Sequence, residues 1–119
     1  MSFTFSKRLR LLKPPDFERV MQARVSASDS LLRLAGATND LGHARLGLTV
    51  SRRVGNSVKR NVWKRALREA FRLTQHDLPS CDLVCIPHRE VEPDVKRLTE
   101  SLRKLAHRID ADLRRRNVR

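Results

Sequence analysis

Lys59, Arg60, Lys64, Arg65, Arg68 and Arg72 follow one another at short spacings, with the amide of Asn61 among them. Rotating residues 58–73 about a helical axis at 3.6 residues per turn gathers Arg60, Asn61, Lys64, Arg65, Arg68 and Arg72 on one arc. Val58, Val62, Ala66, Ala70 and Leu73 gather on the other side, and Glu69 falls at the edge between them. Like charges one turn apart repel. A fold selected for stability alone intersperses acids, so the pattern predicts that phosphates complete the pairing. Asn61 adds a group that both donates and accepts, suited to a sugar hydroxyl or a base edge. The alternative for the same arc is an ordinary solvated helix face.

Two further groups bear on nucleic-acid chemistry. Phe17 and Met21 are one turn apart in a short amphipathic segment with Val20. Their shared face fits an apolar floor for unstacked bases, or equally a core contact. Trp63 lies beside the basic arc and suits either a helix–sheet seam or a stacking platform.

A catalytic centre is not legible. His43, His76, His88 and His107 are far apart in sequence and lack metal-ligand spacing. The glycines form no phosphate loop. Asp77, Asp82, Glu90, Glu92 and Asp94 read as solvated loop and cap residues rather than a carboxylate cluster for a metal ion. Cys81 and Cys85 fall on one face of a strand, about 13 Å apart, too far for a disulfide or a shared metal. They read as buried thiols.

Composition narrows the class. The chain of 119 residues fits one domain, with residues 1–13 a basic, extended N-terminal arm. Twenty-six Lys and Arg face 13 Asp and Glu, for a net charge of +13. Such a chain needs a polyanion to relieve its self-repulsion. Arg dominates over Lys, and its fork fits phosphates and stacks on bases, which favours nucleic acid over a membrane or an acidic protein. No stretch approaches the roughly 20 apolar residues of a membrane span, and the N-terminus has no apolar run of signal-peptide length. A cytoplasmic location and no membrane partner are expected.

The elements that must position these groups follow from pattern. Pro14-Pro15 opens a short helix ending near Arg24. Residues 31–38 read as a strand with Leu32 and Leu34 on one side. Residues 45–51 alternate as a second strand, expected to pair with the first as a hairpin. Arg52 and Arg53 close it, and Asn56 or Ser57 caps the helix of residues 58–73. Residues 82–87 form an apolar strand, completing a β-α-β unit. A last helix after Pro93 carries Val95, Leu98, Leu102, Leu105, Ile109 and Leu113 as its apolar stripe. The fold class is α/β, a two-layer sandwich.

Residues 45–72 resemble the bacterial ribonuclease P protein family, most of all over Ser51-Arg52-Arg53-Val54-Gly55-Asn56-Ser57 and Lys59-Arg60-Asn61-Val62-Trp63-Lys64-Arg65. Arg10-Leu11, Asp16-Phe17-Glu18-Arg19-Val20 and Asp82-Leu83-Val84-Cys85-Ile86 extend the likeness in order over nearly the whole chain. The resemblance implies an α-β-β-(β)-α-β-α order with an unusual left-handed crossover, contrary to the common right-handed rule. It implies a subunit of an endoribonuclease that removes 5′ leaders from precursor tRNA. A catalytic RNA would carry the chemistry and bind most of the Mg²⁺, with no cofactor on the protein and no small-molecule substrate. It assigns Arg60, Asn61, Lys64, Arg65 and Arg68 to the catalytic RNA, with Lys59 and Arg72 on the same basic helix. Arg52 and Arg53 fall near the path of the single-stranded leader, and Phe17 in the leader cleft with Met21. Two positions depart from the family pattern: Val62 replaces a second Arg, and Met21 a second aromatic. A ribosomal or other structured-RNA-binding protein shares the basic stripe, and a stand-alone nuclease or a DNA-binding regulator fits it less well.

Overall fold

A computed structural model describes residues 7–88 and 91–117, with the backbone alone at 117. Its elements are α1 (Pro14–Gln22), β1 (Val25–Ser28), β2 (Leu32–Thr38), β3 (Arg45–Leu48), α2 (Ser57–Thr74), β4 (Cys81–Pro87) and α3 (Val95–Asn117). Short 3₁₀ turns stand at Lys7–Leu9, Arg52–Val54 and Gln75–Asp77. Two prolines fix the first turn of α1, where missing N–H groups cost nothing. Arg24, with φ at 56°, turns the chain out of that helix into β1. Asn56 caps α2 by accepting from the Lys59 N–H at 3.0 Å.

The four strands form one sheet in the order β1-β2-β4-β3. β1 pairs antiparallel with β2, β2 antiparallel with β4, and β4 parallel with β3. The expected hairpin between β2 and β3 does not form, because β4 inserts between them. The reason is burial: β4 presents almost no exposed residue on either face. A strand apolar on both sides belongs in the middle of a sheet, and the hairpin would have put it at an edge.

Alternation along the strands separates two cores. Leu32, Leu34, Leu46, Leu83 and Cys85 pack on one side with Trp63, Leu67 and Phe71 of α2 and Leu98, Leu102, Leu105 and Ile109 of α3. The apolar stripe expected on α3 is buried over Leu98, Leu102, Leu105, Ile109 and Leu113, with Val95 partly covered. On the other side Ala35, Ala37 and Val84 pack with Val20 of α1 and Leu11, and Phe17 lies at the margin. Both cysteines are free and buried. Burial, and then the nearby Asp110 charge, push the Cys81 thiol up to about 11, with Arg114 opposing; burial raises Cys85 further.

Residues 7–12, expected as the end of an extended arm, lie against the sheet. Leu9 and Leu11 are buried. Arg10 bridges in parallel to Leu46, and the Leu11 N–H donates to the Leu46 carbonyl at 3.0 Å.

Two side-chain placements differ from expectation. On α2 the buried residues are Trp63, Ala66, Leu67, Ala70, Phe71 and Thr74, about a quarter turn from the arc centred on Val62. Val58, Val62 and Leu73 are exposed at 69%, 50% and 45%. The two large rings of Trp63 and Phe71 bury more apolar area than the valines could, so they set the rotation of the helix. Asp82, expected as solvated, has no exposed surface and lies within β4. Its oxygens accept from Arg45 Nε at 2.8 Å and Arg45 NH2 at 2.7 Å, from Asn39 Nδ2 at 2.8 Å, and from Arg19. Arg19 also donates to the Thr38 carbonyl at 3.1 Å, tying α1 to the sheet.

Candidate nucleic-acid interface

The basic helix α2 lies over the sheet with its outer face divided lengthwise. One half carries Asn61, Lys64, Arg65, Arg68 and Arg72 around an open groove of about 370 Å³, closed on its far side by Arg10. Lys64, Arg65 and Arg68 make no ion pair among the described residues. The other half is apolar, with Val58 and Val62 exposed toward a smaller hollow that also contains Lys59, Trp63, Val91 and Pro93.

Glu69, placed by the sequence at the edge of the cation arc, reaches into it. Arg72 donates to it from Nε at 3.0 Å and from NH2 at 2.5 Å. This hydrogen bond lowers the Glu69 pKa and raises that of Arg72; burial opposes it, and the opposite charge adds a lesser push in the direction of the bond. Arg72 therefore enters any phosphate contact already neutralised, while Lys64, Arg65 and Arg68 do not.

Beside the groove, and sharing Arg10, Lys64 and Arg68 with it, opens a cleft of about 220 Å³. Its apolar lining is Leu11, Leu12, Phe17, Leu46 and Leu48. Phe17 is half-buried, and it sits here because β3 has no side chain to oppose it: a Cβ on Gly47 would lie 2.7 Å from two atoms of the Phe17 ring. A glycine in a strand marks such a close approach. An aromatic edge and apolar wall next to the Lys64 and Arg68 cations can take a nucleotide base on one side and its phosphate on the other.

The structure brings together Phe17, Asn61, Lys64, Arg65, Arg68 and Arg72 in one continuous surface. It leaves others apart. Met21 is 43% exposed and lines neither the groove nor the cleft. Arg52 and Arg53 are exposed on the turn before α2, where Ser51 Oγ accepts the Arg53 N–H at 3.3 Å. Lys59 lies over Gly55, on the apolar side. Arg60 is partly exposed, but its Nε is enclosed and has no hydrogen-bond partner. Trp63 is 2% exposed, so it is packing and not a platform for bases. The site residue missed in the sequence is Arg10, which touches both groove and cleft. Only its place beside Leu11 in the family-like opening marked it.

Among the described residues no three His, Cys, Asp or Glu side chains gather as metal ligands. No described helix is long and apolar enough to cross a membrane.

Comparison with known proteins bears on the family of the chain. The family model described as Ribonuclease P matches residues 5–110. The ribonuclease P protein component of Photorhabdus laumondii is 42% identical over 110 residues, covering 91% of this chain and 92% of that one. That of Pectobacterium atrosepticum is 43% identical with the same coverage. Among solved structures, the RNase P protein from Thermotoga maritima superposes with a TM-score of 0.74 at 28% identity, covering 83% of this chain and 96% of that chain. A Staphylococcus aureus RNase P protein mutant with defective mRNA degradation activity gives 0.76 at 27% identity, covering 87% and 90%. With sequence, fold and coverage in agreement, the chain belongs to the ribonuclease P protein family.

Proposed function

We propose that this chain, as the protein component of ribonuclease P, holds RNA so that a catalytic RNA can cleave it. Lys64, Arg65 and Arg68, with Asn61 and Arg10, grip the backbone of the catalytic RNA. The cleft walled by Phe17, Leu12 and Leu48 takes the single-stranded 5′ leader of precursor tRNA, and Arg52 and Arg53 extend its basic path along the turn before α2. The observation that carries this reading is the sharing of Lys64 and Arg68 between groove and cleft. One pair of cations then borders two RNA strands and sets the distance between them.

The division of labour follows from chemistry. Hydrolysis of a phosphodiester needs charge stabilisation at the reacting oxygens, commonly from Mg²⁺. In this reading the RNA subunit binds most of that ion. The protein contributes backbone neutralisation and orientation, which lower the concentration of Mg²⁺ the RNA needs to fold and to hold substrate. Met21, exposed and outside the cleft, has no part in the leader contact proposed here.

Reconstitution tests this. Precursor tRNA and a bacterial ribonuclease P RNA are incubated at low Mg²⁺ with and without the protein. Cleavage of leader-bearing substrate should rise strongly when protein is added, and substitution of Arg65 and Arg68 by Ala should remove about two units of salt slope from binding to the catalytic RNA. Cleavage by the protein alone would overturn the assignment of chemistry to RNA, and no enhancement would overturn the whole reading.

A further inference from the structure

A second basic surface lies away from α2. α3 packs beside α2 on the same side of the sheet and covers β1 and β2. Near its C-terminus two cations of the helix meet acids: Arg114 Nε meets Asp110 at 3.0 Å, and Arg115 meets Asp112, while Arg116 donates to the Ala23 and Arg24 carbonyls. From Lys96 to Arg108 no cation closes on an acid. Lys96, Arg97, Arg103, Lys104 and Arg108 form no ion pair among the described residues. Glu100 is within one turn of Lys96, Arg97, Arg103 and Lys104, so an acid is at hand, and none of them closes on it.

At the start of α3, Asp94 accepts from the Arg97 N–H at 3.3 Å, and Lys96 and Arg97 follow it in the first turn. Arg97, Arg103 and Lys104, with Glu100 and His107 among them, border an open groove of about 640 Å³, whose opposite wall is Ser30 and Leu31 of the β1–β2 connection. Asp29 in that wall accepts from Ser101 Oγ at 2.7 Å and from the Leu31 and Leu32 N–H groups at 2.9 and 3.1 Å, and its remaining charge faces Lys104. Arg114 and Arg115 close on acids one turn away. Arg97, Arg103 and Lys104 face the groove with an acid, Glu100, beside them and make no ion pair with it.

We infer that the groove formed by Arg97, Arg103 and Lys104 against Ser30 is a second backbone-binding site for the catalytic RNA, separate from the α2 surface. The choice of that RNA over precursor tRNA rests on layering. α2 and α3 share one side of the sheet, so a large folded RNA held on α2 extends over α3. The Phe17 cleft opens among α1, β3 and α2, and α3 lines no part of it. The inference depends on the proposal that the chain binds a catalytic RNA, and the test separates the two.

The full-length chain carrying Arg97→Gln, Arg103→Gln and Lys104→Gln together is compared with the natural chain and with Arg65→Ala/Arg68→Ala. All three glutamine positions are exposed, and circular dichroism confirms that the fold is intact before binding is read. Affinity for a transcribed bacterial ribonuclease P RNA is measured from 50 to 400 mM NaCl. The glutamine variant should bind at least tenfold more weakly at 150 mM, with a salt slope smaller by about three, one unit for each phosphate no longer neutralised. Affinity of the reconstituted, protein-saturated holoenzyme for precursor tRNA should be unchanged. An affinity and slope within twofold of the natural chain would mean a solvated face and overturn the inference. So would a loss confined to precursor tRNA, which would make the substrate the occupant. Failure of the natural chain to bind the RNA at all sinks the functional proposal beneath it. Binding whose whole salt slope disappears with Arg65 and Arg68 sinks only the second site.

Discussion

Replacing Asp82 by Ala tests how the cleft is held open. The carboxylate is fully buried and neutralises Arg45 and Arg19, whose side chains are 22% and 43% exposed. Breaking a fully buried ion pair costs roughly 3–5 kcal/mol, because an uncompensated charge stays behind. Here both arginines can turn partly to water, which lowers the figure, while Asn39 Nδ2 loses one acceptor yet keeps the His43 carbonyl at 3.2 Å. We expect a loss of about 2–4 kcal/mol, large against the ~5–15 kcal/mol total of a small domain but not enough to prevent folding. Urea unfolding at constant m-value measures it. A double change, Asp82→Leu with Arg45→Met, should recover part of the loss, since it removes the more buried pair, while Arg19, 43% exposed, is left to turn to water. Arg19 lies two residues beyond Phe17 on α1, so Asp82→Ala should also weaken leader binding more than binding of leaderless tRNA. A stability within about 0.5 kcal/mol of the natural chain would refute the reasoning, because it would mean that water already satisfied both arginines.

Gly47→Ala should cost about 1–3 kcal/mol by overpacking, since the new methyl falls 2.7 Å from the Phe17 ring and 3.0 Å from Leu11 Cβ. The same substitution in a Phe17→Ala background should cost less than half as much in urea unfolding, and an equal cost would show that the ring is not the obstacle. Burial works against the charged form of Asp29, but the bonds from Ser101, Leu31 and Leu32 and the Lys104 charge outweigh it and hold its pKa below 3.8. A depressed carboxylate adds stability that is present above its unfolded value and lost as pH falls through its folded one. The gap in melting temperature between the natural chain and Asp29→Ala should therefore be widest near neutral pH and shrink below about pH 4.

Periodicity carried some of this molecule and misled on the rest. The stripe on α3, the Asn56 cap and the cation arc on α2 were all legible, because each depends on neighbours within a few residues. β1 was not legible: Val25–Ser28 is four residues of small side chains with no long alternation, and its register with β2 is a tertiary fact. The pairing of β3 with β4 could not be read either, since it depends on which strand needs two covered faces. Val58 and Val62 show that apolar type is not burial; two aromatic rings decided which way α2 faces. Asp82 was misread because its partners are 37 to 63 residues away. Asn61, Lys64, Arg65, Arg68 and Arg72 of the basic groove were foreseen, but Arg60 falls outside it, and the groove's continuity with the Phe17 cleft through Arg10 exists only once residues 10–12 dock on β3.

That docking has a further consequence. A sheet edge with unpaired N–H and C=O groups invites another chain to add to it. β3 is the outer strand beside the cleft, and the bond from Leu11 to Leu46 together with the Arg10 bridge occupies part of its free side. At the opposite edge β1 is only four residues long and turns Ser26 and Ser28 outward. In low salt, mutual repulsion at +13 keeps copies apart. Once salt or bound RNA screens that charge, solubility rests on these two blunted edges. The segment that completes the cleft also guards the protein against polymerising through its own sheet.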